Sequence, residues 1–255
     1  MESLLNKVAI ISGGATLIGR AVAVAFVEAG ATAVIADINP AASAERIDVI
    51  PTDITRDAAI DACLATTAAR HGGVDYLVNV ACTYLDPGLA ATREEWLTAL
   101  NVNVISGAVF TARAVPYMRQ RGGGAVVHFS SISASAAQQG RLLYATSKAS
   151  ILGLTRNQAL ALAPDRIRVN AVAPGWTWSN VIRDLSGNDR AKADAVAAPF
   201  HLNGRLVEAE EVARTVMFLC SPAGSGINGT EVAVDGGYSA LGPEQQTNQI
   251  LRLTR

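Results

Sequence analysis

Short apolar runs without alternation recur along the chain: Val8-Ala9-Ile10-Ile11, Thr32-Ala33-Val34-Ile35-Ala36-Asp37, Ile47-Asp48-Val49-Ile50 and Asp75-Tyr76-Leu77-Val78-Asn79 in the first third. Gly124-Ala125-Val126-Val127-His128-Phe129, Ile167-Arg168-Val169-Asn170-Ala171-Val172 and Thr230-Glu231-Val232-Ala233-Val234-Asp235 continue the series. Unbroken β-prone runs of this length are expected of strands buried on both faces. A helical period follows the first run, with Val22, Phe26 and Val27 apolar and Gly30 as the stop. Further helical stretches cover about 58–70, 103–119, 144–162 and 209–219. Strands alternating with helices predict an α/β chain: one domain over 1–255, a doubly wound parallel sheet with helices on both faces. Two stretches stand out. Sixteen residues separate Asp37 from Asp53, so the helix between those strands is predicted to be little more than 40–46. From about 176 to 203 no strand signal is present, and the stretch reads as a helical or mobile excursion.

Composition narrows the classes. Half of the 255 residues are hydrophobic and 17% are charged, enough for a large core and unlike a disordered chain. The formal net charge is −1 with no basic cluster, so no nucleic-acid or anionic-membrane partner is expected. Cys63, Cys82 and Cys220 are odd in number and widely spaced; they read as thiols in a reducing compartment, with no metal site. Without a signal segment or a spanning apolar stretch, the expected location is cytoplasmic.

Candidate chemistry gathers at two places. The first strand runs into Ser12-Gly13-Gly14-Ala15-Thr16-Leu17-Ile18-Gly19 and then a helix. In such a turn glycines let a pyrophosphate approach the backbone, and the helix N-terminus offers N–H donors, although tight turns need glycine for steric reasons anyway. Asp37 ends the second strand eighteen residues after Gly19, where a carboxylate can accept from both ribose hydroxyls of an adenosine and repel a 2′-phosphate. The expected cofactor is therefore NAD in preference to NADP. At the second place, Tyr144 and Lys148 stand four residues apart, on one face if the segment is helical, and Ser131 lies thirteen residues upstream. A nearby cation favours the phenolate of a group that otherwise titrates near pKa ~10.

With these motifs in order, the chain resembles the short-chain dehydrogenase/reductase family from Lys7 to about Ser239, which implies a Rossmann fold. The turn Ser12 to Gly19 matches the family's cofactor loop, so Gly13, Thr16, Leu17, Ile18 and Gly19 are implied cofactor contacts, with Asp37 and Ile38 at the ribose. Pro51-Thr52-Asp53-Ile54-Thr55 resembles the segment that meets the adenine, carrying over Asp53 and Ile54. Asn79-Val80-Ala81-Cys82 resembles the run Asn-Asn-Ala-Gly, which implies that Asn79 and Ala81 line the cofactor. Asn103, Ser131, Tyr144 and Lys148 match the catalytic group. Pro174, Gly175, Thr177 and Ser179 match the segment beside the nicotinamide, and Asp235-Gly236-Gly237 the family's turn after the last strand. The resemblance implies that Tyr144 exchanges the alcohol proton, Ser131 orients the same oxygen, Lys148 holds the nicotinamide ribose and lowers the tyrosine pKa, and Asn103 anchors a water leading to solvent.

The chain departs from the family at several positions. Leu17 replaces the second glycine of the turn, and its side chain is expected to tuck toward the core at some cost in cofactor affinity. Cys82 replaces a glycine and reads as a packing residue; Ser106 stands for glycine and Ser179 for threonine. Family likeness sets Thr83 to Leu85, 134–143 and 176–203 around the substrate. Trp176, Trp178, Val181, Ile182, Leu185, Val196 and Phe200 suit an apolar, aromatic or cyclic secondary alcohol or ketone. Gln138 and Gln139 keep diols and sugars open. Arg141, Arg183 and Arg190 are candidate partners for a carboxylate, each reading first as solvated surface, and His201 reads as structural. An NADP-linked carbonyl reductase is the nearest alternative. A nucleotide-sensing protein would lack the tyrosine or lysine, an epimerase would carry a further C-terminal domain, and an enoyl reductase spaces the pair more widely, where this chain has Ile151. A homo-oligomer, tetramer or dimer, is expected through 103–119 and 144–162, with the tail 242–255 crossing to another subunit or fraying.

Overall fold

Each of the seven apolar runs forms a strand: β1 (Val8–Ser12), β2 (Thr32–Asp37), β3 (Ile47–Pro51), β4 (Tyr76–Asn79), β5 (Gly124–Phe129), β6 (Ile167–Pro174) and β7 (Glu231–Val234). The computed structural model describes residues 4–39, 41–243, 245–247 and 249–254. The strands make one parallel sheet in the order β3-β2-β1-β4-β5-β6-β7. Successive side chains explain why the runs do not alternate. Ile11, Ile35, Val78 and Val127 enter a core beneath α1 (Leu17–Glu28) and, later in the chain, α8 (Ala209–Cys220). Ile10, Val34, Leu77 and Val126 enter a second core with α2 (Asp57–His71), α4 (Ser106–Gln120) and α5 (Leu142–Leu162). Both faces of the sheet are covered, so both sets of positions must be apolar.

β1 pairs with β2 on one side and β4 on the other. Strand order reverses there, and a crevice opens beyond the carboxyl ends of the strands.

Two expectations about elements need correction, and a third is made specific. Residues 41–46 form no helix. The connection from β2 to β3 is nine residues long and closes with an antiparallel bridge between Ala44 and Ile47, with Arg46 left-handed at φ 57°; Pro40 lies outside the described residues. A parallel crossover with a helix takes about a dozen residues or more, and this connection is too short. Residues 93–120 are helical well before 103: α3 (Arg93–Leu100) leads through a π turn (Asn101–Ile105) into α4. Thr92 and Glu95 form a capping box at the start of α3, a signal present in the sequence as Thr92-Arg93-Glu94-Glu95. The excursion resolves into α6 (Asn180–Ser186) and α7 (Arg190–Ala197).

In the tail, Gln246 donates to the carbonyls of Ala198 and His201, and Gln249–Thr254 forms a 3-10 run; Glu244, Asn248 and Arg255 lie outside the described residues. Among the described residues no helix is long and apolar enough to cross a membrane.

Candidate active site

Tyr144 stands in the first turn of α5 and Lys148 one turn further on, both buried. Arg141 at the N-cap position supplies no side-chain cap. Asp86, from the loop after β4, does so instead: its carboxylate accepts from the Tyr144 N–H at 2.9 Å. A carboxylate at a helix N-terminus is favoured by the free N–H groups and the dipole together. Lys148 Nζ donates to the Phe129 carbonyl at the end of β5 (2.8 Å) and lies 5.5 Å from the centre of the Tyr144 ring. A buried ammonium with one acceptor among the described residues keeps two donors in hand.

Ser131 follows β5. Its hydroxyl accepts from the Ser133 N–H (3.2 Å) and donates to the Ser133 hydroxyl (3.3 Å), which in turn bonds Gln138. Asn103 lies in the π turn, an irregularity common at functional sites. Its amide accepts from the Thr83 N–H (2.7 Å) and donates to the Thr83 carbonyl (3.1 Å) and the Ser147 hydroxyl (3.0 Å). It thus joins the loop after β4 to the helix bearing Tyr144. A small cleft bordered by Asn103, Asn79, His128 and Lys148 adjoins it.

Tyr84 lies in the segment Thr83 to Leu85 expected around the substrate, but its contact with Tyr144 has no signal in the sequence. Its ring stacks on that of Tyr144, centroids 5.1 Å apart and planes 18° from parallel. The Cys82 thiol beside it, then burial and the Tyr144 phenol, push the Tyr84 phenol well above its ordinary pKa, so it stays protonated. Cys82 is half-buried and lines the cavity described next, rather than packing in the interior.

A cavity of about 680 Å³ joins these groups. Ser131, Tyr144 and Lys148 line it, together with Thr16, Ile18, Pro174, Gly175, Thr177 and Ser179 from the expected cofactor contacts. So do six of the seven expected apolar residues, Trp176, Val181, Ile182, Leu185, Val196 and Phe200. Trp178 does not; its ring lies 5.4 Å from the Arg190 guanidinium. Ser179 caps α6 by accepting from the Ile182 N–H, and the Thr177 hydroxyl donates to the Gly175 carbonyl.

The remaining expected contacts lie toward β2 and β4. Gly13 has φ 72°, and a Cβ there would stand 2.6 Å from the Ala81 nitrogen; at Gly19 it would stand 2.3 Å from the Gly13 carbonyl oxygen. Asp37 accepts from the Ala15 N–H (3.0 Å) and the Asn39 N–H (2.8 Å), so its carboxylate sits at the glycine turn, while Ile38 is exposed. Asp53 accepts from the Thr55 N–H and hydroxyl, which hold it below the usual carboxylate range, and Ile54 packs against the second core. Asn79 donates to Thr111 (3.3 Å) and approaches His128 Nδ1 (3.3 Å), tying β4 to α4 and β5.

Leu17 departs from expectation. It is half-buried, and Ile18 is the residue that packs against the core. The Leu17 N–H donates to the Asn180 side chain of α6 at 2.8 Å, a link across 163 residues that no motif signals. A nicotinamide dinucleotide fits this arrangement: the turn excludes side chains where a backbone must approach, α1 presents its N-terminus, and the Lys148 donors lie in the same cavity.

Known proteins resemble the chain over most of its length. A family model described as enoyl-(acyl carrier protein) reductase matches residues 13–239. Cis-4-hydroxycyclohexanecarboxylate dehydrogenase of Sinomonas cyclohexanicum is 33% identical, covering 94% of this chain and 99% of its own. Human dehydrogenase/reductase SDR family member 4 is 36% identical over 92% of this chain and 88% of its own. Among solved structures, a 7α-hydroxysteroid dehydrogenase complexed with NADH and 7-oxo glycochenodeoxycholic acid superposes with a TM-score of 0.85 at 29% identity, covering 92% of this chain and 95% of that one.

Proposed function

The chain belongs to the short-chain dehydrogenase/reductase family and is an NAD(P)-dependent alcohol dehydrogenase or ketone reductase; from that premise we propose that it uses NAD to interconvert a secondary alcohol with an apolar or cyclic body and the corresponding ketone. The observation that carries this reading is the meeting of Ser131, Tyr144 and Lys148 on one cavity with an apolar far wall. The dinucleotide, when bound, supplies the hydride acceptor or donor.

The chain's own groups do the rest. The Ile18 N–H at the start of α1 would face the pyrophosphate, joined by the Leu17 N–H only where Asn180 releases it, and the spare Lys148 donors would hold the ribose hydroxyls. The Ser131 hydroxyl, held by Ser133, bonds the substrate oxygen. Tyr144 accepts the carbinol proton at its phenol oxygen in one direction and returns it in the other, with the Lys148 ammonium 5.5 Å from the centre of its ring. Asn103 keeps the helix in position and borders a cleft where a water can reach Lys148.

Asp37 supports NAD over NADP, since a fixed carboxylate at the end of β2 repels a 2′-phosphate. Coupled titrations should give tighter NAD than NADP, and the reverse order would remove this role from Asp37. The ring alcohols named for the cyclohexanecarboxylate and steroid relatives support a cyclic body. Ile151, buried on α5, stands where a wider tyrosine–lysine spacing would need lysine, which speaks against enoyl reduction. Exposed Leu97, Ile105 and Leu160 on α3, the π turn and α5 support self-association.

The test is a panel of secondary alcohols and ketones followed by reduced-nicotinamide absorbance, with wild type beside Tyr144→Phe. Cofactor binding without turnover of any compound would favour a sensing protein instead.

A further inference from the structure

Of the three arginines that the sequence offers as carboxylate partners, two are already taken. Arg183 pairs with Asp184, and Arg190 pairs with both Asp194 and Glu208. Arg141 is different. It lines the cavity, half-buried, and among the described residues its guanidinium has no carboxylate or carbonyl partner. The guanidinium carbon lies 5.4 Å from the centre of the Tyr144 ring and 5.6 Å from that of Tyr84, across the two stacked rings. Stacking on aromatic faces leaves the planar N–H fork free and restricts where it points. Among the described residues the cavity is lined by two further cations, Lys148 and Lys192, and by no aspartate or glutamate.

A cavity with apolar walls, three cations and no acid selects an anion. Lys148 is already engaged beside the phenol. Arg141 presents the bidentate donor geometry that a carboxylate matches. Its carbon lies 5.4 Å from the centre of the same ring whose hydroxyl handles the carbinol proton, so a substrate held by both must be short between its carboxylate and its carbinol. One small ring spans that distance.

Resting on the oxidoreductase reading above, we propose that the substrate is a hydroxy or oxo carboxylate with a compact apolar ring, its carboxylate held by the Arg141 guanidinium. The carboxylate does not react. In the oxidative direction the carbinol carbon gives its hydride to the oxidised nicotinamide and the hydroxyl gives its proton to Tyr144; reduction of the ketone reverses both transfers.

The test compares 4-oxocyclohexanecarboxylate with 4-oxocyclohexanecarboxamide as substrates for wild type, Arg141→Met and Arg141→Lys, with NAD affinity measured in parallel. Wild type should favour the carboxylate roughly tenfold or more in kcat/KM, carried mainly by KM, as expected for a charge-assisted bond. In Arg141→Met the ratio should fall to near one whatever the absolute rates, and Arg141→Lys should recover part of it. Equal use of the two compounds by wild type, or an unchanged ratio in Arg141→Met, overturns the proposal while leaving the oxidoreductase reading intact. So does a weaker NAD affinity in Arg141→Met with the ratio preserved, which assigns the cation to the cofactor. If neither compound turns over, calorimetry separates the two readings: carboxylate binding lost in Arg141→Met upholds the anion site, and binding that persists overturns it.

Discussion

On one side of the cavity stands α5, 21 residues long, with Tyr144 and Lys148 buried and tied to Asp86 and to β5. On the other lie α6 and α7, of 7 and 8 residues, over a separate small cluster of Ala193, Ala197 and Leu206. The first wall is part of the main sheet packing. Polar links hold the second: Asn180 to the Leu17 N–H, Arg190 to Glu208, and Asp194 to the Leu206 N–H. Proton chemistry needs tightly held groups, whereas substrate choice tolerates variable ones, and the proposed function divides the work between the two walls accordingly.

If that division holds, substitutions in the two walls should separate in kinetics. Tyr144→Phe should lower kcat by roughly 10²–10⁴, the usual weight of general acid–base catalysis, while cofactor Kd from fluorescence titration stays within about twofold. Undiminished activity would remove Tyr144 from the proton path.

Acid should loosen the first wall. His128 is buried, and burial pulls its pKa down to about 4, with Nε2 facing Gln158 of α5. The neutral ring is then the folded form, and the unfolded chain binds the extra proton below about 6.5. This contribution is complete above that pH and is lost as pH falls toward 4, by on the order of 3 kcal/mol. Urea midpoints at pH 7 and 4.5 should show the loss in wild type, and a smaller one in His128→Gln.

For the second wall, Trp176→Ala and Phe200→Ala should raise KM for an apolar ketone about tenfold with kcat within about threefold, the scale of a lost apolar contact. A fall in kcat with unchanged KM would place these residues with the chemistry. Asp86→Ala removes the cap on the Tyr144 N–H; about 1 kcal/mol, or a few degrees in Tm, should be lost, with Asp86→Asn recovering most of it. The smallest effect is expected at the link between the walls. Asn180→Ala frees the Leu17 N–H for the pyrophosphate and should tighten NAD binding by about fivefold or less.

Much of this was legible because it is local. Seven strands announced themselves as apolar runs, since a strand buried on both faces needs apolar side chains in both directions. Ser131, Tyr144 and Lys148 were legible for a related reason: a strand end and one helical turn fix their separation. Where a residue's partner is distant in sequence, legibility stopped. Asp86 meets Tyr144 across 58 residues and Asn180 meets Leu17 across 163. The expected helix at 40–46 is absent from the described residues because a length limit on the crossover, and no residue pattern, forbids it; the signal of α3 is the capping box Thr92 to Glu95.

By itself, then, the sequence determined the order and type of the main elements, the glycine turn between β1 and α1, and the spacing that brings Ser131, Tyr144 and Lys148 to one cavity, because periodicity and short spacings encode these. Only the tertiary structure decided which of three arginines has no carboxylate partner among the described residues, that Tyr84 lies flat against Tyr144, and that the α6–α7 wall is stitched to the glycine turn. Those outcomes depend on which distant groups compete for the same hydrogen bonds and charges, and that competition is resolved only when the chain has folded.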